Sequence, residues 1–281
     1  MSQKSITDVE LKEAFYKRPA VIILGAGASI ASTLHRSEKN GKILPAMNNL
    51  IEVIGLEEEI KAHGFQNKIE NFESFYSQLV RDGKHRQLEC ILREKTYEYF
   101  HYLELPDETT IYDYLILGLC GKDMIATFNW DPFLMQAYLR NARILGEDNL
   151  PELRFLHGNV SIGICYECKI TGLNDRVCSQ CRKIFTPSDL LFPVEEKNYN
   201  SNTFLKDEWN QLKVYLHRAY LVSFFGYSAP KTDVEARKLI LNWLNENNIR
   251  EQQEMEIIDI KAVDDKQNLR ENWEEFPFSH H

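Results

Sequence analysis

No apolar run in the 281-residue chain approaches the roughly eighteen residues needed to cross a bilayer. The opening stretch, MSQKSITDVELKEAF, is polar and then amphipathic. It has neither the apolar core of a secretory signal nor a small-residue cleavage site. Together these absences predict a cytoplasmic protein with no membrane partner. Positive charge is scarce as well. Lys and Arg number 33 against 42 Asp and Glu, a formal charge of −9. Direct nucleic-acid binding by the chain as a whole is therefore not indicated. Internal repeats and low-complexity linkers are missing, so one domain is expected over residues 1–281. A complete Gly-x-Gly-x-x-Gly motif is also absent, which argues against an ordinary dehydrogenase.

Cysteine is sparse, with six in the chain. Cys90 and Cys120 are solitary, in apolar or helical surroundings, and read as small buried hydrophobes. The other four form CYEC and CSQC at Cys165, Cys168, Cys178 and Cys181. Two such knuckles close a tetrahedral thiolate site for Zn2+. Four protein ligands leave no open position, so the zinc is expected to be structural. His157 lies eight residues before Cys165, but the metal does not require it.

What is present is an alternation of buried strands and helices. AVIIL at 20–24 is a continuous apolar, β-branched run of the kind buried on both faces of a parallel sheet. MIATF at 124–128, ELRFLHG with His157 near its end, YLVSFFG at 220–226 and EIIDIKAV at 256–263 read as further strands. Helical spacing marks residues 5–17, FLMQAYLRNARIL, KDEWNQLKVYLHRA and TDVEARKLILNWLNEN. Between about 45 and 120 the pattern is helical throughout, too long for one crossover, and predicts a helical insertion. Residues 160–190 form the zinc-ribbon insertion. The fold class is α/β: a Rossmann-like parallel sheet with helices on both faces, a helical insertion and a small zinc module.

Ligands of open parallel sheets bind at the carboxyl ends of the strands. Four polar motifs fall there: GAGAS (25–29), NWD (129–131), HG (157–158) and GYS (226–228). The glycines of GAGAS suit close approach of backbone to a diphosphate, or simply a tight turn. Asn129 and Asp131 suit a ribose or an attacking water. Equally, Asp131-Pro132 suits a helix N-cap. His157 is placed to act as a general base, or to be a satisfied structural histidine.

GAGAS after the first strand, TFNWD after the second and LHG after the third form an ordered set. The two Cys-x-x-Cys pairs and FFGYS after the fourth complete it. The set resembles the sirtuins over residues 18–263. The resemblance implies NAD+ as ligand. Gly25, Ala26, Gly27 and Ser29 would line its diphosphate. Asn129 and Asp131 would contact the nicotinamide ribose, with His157 as catalytic base. Gly226 and Ser228 would approach the adenosine half. The Asp-Phe-Arg loop of protein-deacylating sirtuins is missing, and only a G-x-x-L-P-x-M fragment, Gly41 to Met47, stands in its region. DLLFPVEE at 189–196 replaces the segment that pairs with an acyl-lysine peptide, and Pro193 opposes such pairing. NFESF at 71–75 is similar to the bacterial sirtuin-like NAD+ hydrolases of antiphage defence.

The resemblance thus implies an NAD+ glycohydrolase, and because free hydrolysis of NAD+ would be toxic, its activity is expected to be gated by homo-oligomerisation or an activating partner. The alternatives are a lysine deacylase or ADP-ribosyltransferase, and a non-catalytic sensor of NAD+ or ADP-ribose.

Overall fold

The computed structural model describes residues 17–34, 42–192, 202–230, 233–246 and 254–276. The helix expected at 5–17, Gly41 and Pro193 fall largely or wholly outside them.

β1 (Ala20–Leu24) is the centre of the fold, and all five of its residues are buried. It lies between β2 (Met124–Thr127) and β7 (Leu221–Phe225), parallel to both, with Val21 beside Met124 and Val222. β3 (Glu152–Phe155) and β8 (Glu254–Ile258) add one parallel strand at either edge, giving the order β3-β2-β1-β7-β8. The direction of winding reverses between β1 and β7, and such a reversal opens a crevice at the strand carboxyl ends.

Alternation of side chains along β1 explains why both faces are covered. Ile22 and Leu24 join one core with Ile125, under the helices that follow β1 and β2. Val21 and Ile23 join the other with Met124, Val222 and Phe224. The first core is closed by α1 (Ala26–Ala31), α2 (Leu50–Ile54), α3 (Glu57–Ala62) and α4 (Phe72–Asp82). α5 (Arg86–His101), α6 (Ile111–Leu117) and α7 (Phe133–Leu145) complete it. The second is closed by α8 (Thr203–Leu216), α9 (Val234–Glu246) and α11 (Lys266–Trp273), through Trp209, Leu212, Ile240 and Trp273.

The expected elements differ from the observed ones at identifiable residues. The helical run at 48–60 is split at Gly55, whose φ of 78° ends α2 in a left-handed cap. α4 starts only at Phe72, where the Asn71 side chain caps it by accepting from Ser74 N at 3.0 Å. The strand expected at 256–263 stops at Ile258, and Lys261–Asp264 form a short helix, α10. Cys90 and Cys120 are exposed rather than buried. Cys90 sits on the outer side of α5, while Leu88 and Leu92 take the inner side.

The zinc-ribbon stretch holds β4 (Ile162–Cys165), β5 (Ile170–Leu173) and β6 (Thr186–Pro187), an antiparallel sheet in the order β5-β4-β6. Gly163 and Gly172 face each other across β4 and β5. A Cβ on either would come within 2.5 Å of Phe185, so the paired glycines form the bed for that ring.

At the crevice the β1–α1 turn and the β7 turn interlock. Gly27 N donates to Gly226 O at 3.0 Å, and Gly25 N to Phe225 O at 3.0 Å. A Cβ on Gly226, whose φ is 64°, would lie 2.2 Å from Ala28 N. Gly226→Ala is therefore expected to lower unfolding free energy by roughly 2–4 kcal/mol, combining left-handed strain with overpacking. Gly55→Ala has comparable φ but nothing within 4 Å, and should cost only about 1 kcal/mol. Urea unfolding of the two variants checks this, and equal losses would refute the interlock.

Candidate active site

A pocket opens at the β1/β7 reversal. It is lined in part by Gly25, Ala26 and Ser29 from the β1 turn, Asn129, Trp130 and Asp131 after β2, His157 after β3, and Tyr227 after β7. Six of the residues expected to act on a ligand thus meet in one cavity. Gly27, Gly226 and Ser228 do not line it. The first two hold the interlocked turns, and Ser228 O accepts from Asn272 Nδ2 at 3.1 Å.

β2 ends at Thr127, so Asn129 and Asp131 converge through a turn rather than through strand pleating. Both side chains reach the same hydroxyl. Ser29 Oγ donates to Asp131 Oδ2 at 2.7 Å and accepts from Asn129 Nδ2 at 2.9 Å. The Tyr112 hydroxyl of α6 lies 2.7 Å away. With its only proton on Asp131, Ser29 accepts from Tyr112, and its hydrogen-bonding capacity is filled by the protein. Asn129 Nδ2 also donates to Gly25 O at 2.8 Å. A carbonyl can only accept, which fixes the amide nitrogen on that side and leaves Asn129 Oδ1 as the acceptor available to the pocket.

Asp131 also caps α7, its Oδ1 accepting from Phe133 N at 3.2 Å. Pro132 occupies the N-cap position itself. The carboxyl is buried, and burial pushes it up to about 6, against the hydrogen bonds from Ser29 and Phe133 that lower it. Tyr112 is raised by burial and by the Asp131 charge. Asp113, on the same helix, shows the opposite outcome. Burial raises it, but Arg140, Thr110 and Asn141 outweigh this and hold it down at about 2.

His157 lies two residues beyond β3 with little solvent exposure, its ring edge-on to Phe128 with centroids 4.8 Å apart. The backbone on either side of it is pinned. Leu156 O accepts from Trp209 Nε1 at 3.0 Å, and His157 O from Leu191 N at 2.8 Å. Gly158, at φ 76°, passes so close to Asp189 O that a Cβ would lie 2.1 Å from it.

Sequence reading missed Asn159. Fully buried, it donates from Nδ2 to Asp131 O at 2.7 Å and to Asn129 O at 3.2 Å. Its main chain is held by Ser188, which donates to Asn159 O at 2.8 Å just where the chain leaves β6. Only its place directly after His-Gly could have signalled it. It also missed Glu73 and Asp233, which reach the pocket from α4 and from the start of α9. The helices at 50–117 are therefore a wall of the site, since Glu73 and Phe100 line it and Tyr112 anchors Ser29.

The four sulfurs of Cys165, Cys168, Cys178 and Cys181 lie within 4.8 Å of one another. Zn–S bonds of about 2.3 Å put tetrahedral sulfurs about 3.8 Å apart, which fits. Both knuckles have the same backbone. Lys169 N donates to Cys165 O at 2.8 Å and Arg182 N to Cys178 O at 3.0 Å, and both donors have positive φ. The four cysteines would hold a structural zinc, and His157 is outside the set.

No protein-family model matches the chain, and no curated protein matches it. Solved structures similar to it include a Sir2 enzyme at 13% identity and TM-score 0.42, covering 96% of this chain and 97% of that one. A Sir2 homologue in complex with NAD is similar at 13% identity and TM-score 0.38, covering 98% and 97%. A mutant Sir2 homologue in complex with ADP-ribose matches at 11% identity and TM-score 0.37, covering 95% and 97%.

Two expectations follow. The Asp131 carboxyl, at about 6 folded and about 3.9 unfolded, favours the folded state fully only below the unfolded value. That contribution is lost as pH rises through about 6, on the order of 3 kcal/mol. Asp131→Asn does not titrate, so its stability relative to the parent should rise between pH 4.5 and 7.5 in urea unfolding. A pH-independent difference would contradict the raised carboxyl. Asp113 loses its contribution only as pH falls from 4 towards 2, outside that window. Second, elemental analysis should find about one zinc per chain, and Cys178→Ser should lose it together with several degrees of melting midpoint. Retention of the metal by that variant would remove the cysteine assignment.

Proposed function

We propose that this chain is an NAD+ glycohydrolase, cleaving NAD+ to nicotinamide and ADP-ribose. The charge of the pocket carries the reading. Its described lining offers Glu73, Asp131 and Asp233, and neither Lys nor Arg. Phe100, Phe128, Trp130 and Tyr227 add aromatic surface. Carboxylates and ring faces attract a cation and repel phosphate. The nicotinamide of NAD+ is a pyridinium, and the ribose carries oxocarbenium character as that group departs. The nicotinamide-riboside end therefore belongs in the pocket, with the diphosphate outside it.

Each residue then has a chemical role. The C–N bond to the anomeric carbon breaks, and its electron pair neutralises the nicotinamide ring nitrogen. Water forms the new C–O bond, and its proton passes to His157. Asn129 Oδ1 accepts from that water or a ribose hydroxyl and turns the negative end of its dipole to the developing cation. Asp131, ionised above about pH 6, supplies a fixed negative charge within the same network. Zinc contributes no Lewis acidity here. Its ribbon ends at Ser188, and Ser188 with Asn159 braces the loop bearing Asn129 and Asp131.

Unrestrained hydrolysis would deplete cellular NAD+, so we read the chain as a gated effector of bacterial antiphage defence, switched by homo-oligomerisation or a partner. The place of Glu73 and Tyr112 supports this reading, because a shift of the inserted helices changes the pocket directly.

The test is incubation of the purified chain with NAD+, with and without candidate activators, reading nicotinamide by chromatography. His157→Ala and Asn129→Ala should each lose about a hundredfold or more in rate while still folding and unfolding cooperatively. Activity should fall below about pH 6 as Asp131 protonates. Full activity in either variant would refute the roles assigned. O-acetyl-ADP-ribose from an acetyl-lysine peptide would assign a deacylase instead. A labelled protein product would assign a transferase, and binding without turnover a sensor.

A further inference from the structure

We infer that the inserted helices carry a second binding site, an effector pocket for a small zwitterion with an apolar body, the chemistry of an apolar α-amino acid. Its effect on the reaction rests on the function proposed above; its binding does not. A cavity of about 330 Å3 lies against α2, α3 and the loop leading to α4, a size that suits a small molecule. Ile60, Phe65 and Ile69 give it apolar surface. Glu52 and Glu57 line it together with Lys61 and Lys68. None of these four is in an ion pair among the described residues. Glu57 and Lys61 stand one turn apart on the same side of α3, about 6 Å along its axis. A zwitterion bridges them, its carboxylate on the Lys61 ammonium and its ammonium on the Glu57 carboxylate, with its side chain on the apolar surface. The two signs balance, so the pocket offers a polyanion no net attraction. A neutral apolar ligand would take water from the charges and replace it with nothing.

This cavity stands back to back with the candidate active site. Asn48 and Ile69 line it, while their near neighbours Met47 and Glu73 line the active-site pocket. Phe72 N donates to Met47 O at 2.9 Å and ties the two chain segments of the shared wall together. Phe65 packs edge-on to Phe75 of α4, with centroids 5.2 Å apart, and to His85 at the start of α5, at 4.9 Å. α4 carries Glu73 and α5 carries Phe100, and both of these reach the active-site pocket. A ligand seated on Phe65 therefore presses on the two helices that form one wall of the active site.

The test titrates L-leucine, L-isoleucine, L-methionine and L-phenylalanine calorimetrically into the full chain, each beside its deaminated acid and its decarboxylated amine. The best binder should exceed both of its single-charge analogues by about tenfold, the scale of one charge-assisted hydrogen bond. Glu57 and Lys61 are not buried, so Glu57→Gln and Lys61→Gln should fold as the parent does. Lys61→Gln should bind the amino acid no better than the amine, and Glu57→Gln no better than the acid. At saturation the amino acid should change the rate of nicotinamide release about fivefold or more. Failure of all four to bind, or variants that keep the parent's preference, overturns the site. Binding with an unchanged rate of nicotinamide release overturns its effector role. If the parent leaves NAD+ intact with and without the amino acid, the proposed reaction fails, and the calorimetry still decides the site.

Discussion

Two turns at the middle of the sheet approach so closely that no side chain fits between them. Gly27 N reaches Gly226 O, and a Cβ on Gly25 would fall 2.5 Å from the same oxygen. This contact sets the geometry of everything above it. It brings α1 down onto β7, places Ser29 under the pocket and delivers Tyr227 to the opposite wall, stacked on Phe128 with centroids 4.6 Å apart. Gly27 and Gly226 serve the protein's own backbone here, while Gly25 also lines the pocket. The Gly27 N–H, which a phosphate could otherwise use, is already spent on Gly226.

On that base stands a polar network with one member of each kind. Ser29 is saturated, Tyr112 and Asn159 donate, and Asp131 accepts. Satisfied networks of this sort fix a single arrangement, because breaking any member leaves a buried group unpaired. The consequence for chemistry is directional. With its nitrogen held by Gly25 O and Ser29, Asn129 turns only its oxygen outward, and Asp131 keeps a charge that burial makes costly. Both features suit a positive ligand.

The zinc module acts on this network from a distance. The chain enters it just after His157 and leaves it at Ser188, and the two passages are bonded through Asn159 and Ser188, and through His157 O and Leu191 N. Four thiolates therefore fix the spacing of two strands whose other ends carry the candidate base. The inserted helices act from the opposite side through Tyr112, Phe100 and Glu73.

Hydrophobic periodicity alone determined the alternating architecture, because a strand buried on both faces must be apolar at every position, as AVIIL is. Cysteine spacing alone determined the four-thiolate set, because knuckle geometry is local. Local signals also marked His157, Asn129 and Asp131 as strand-end groups. They could not say whether Asp131 caps a helix or faces the pocket, and the folded chain has it do both. Only the tertiary structure brought in Asn159, Glu73 and Asp233. It also showed that the glycines of GAGAS form a backbone interlock with Gly226, with Gly25 lining the pocket as well. Those decisions depend on pairs of residues that are distant in sequence, as Gly27 and Gly226 are, and no periodicity or motif in one segment encodes what another segment will press against it.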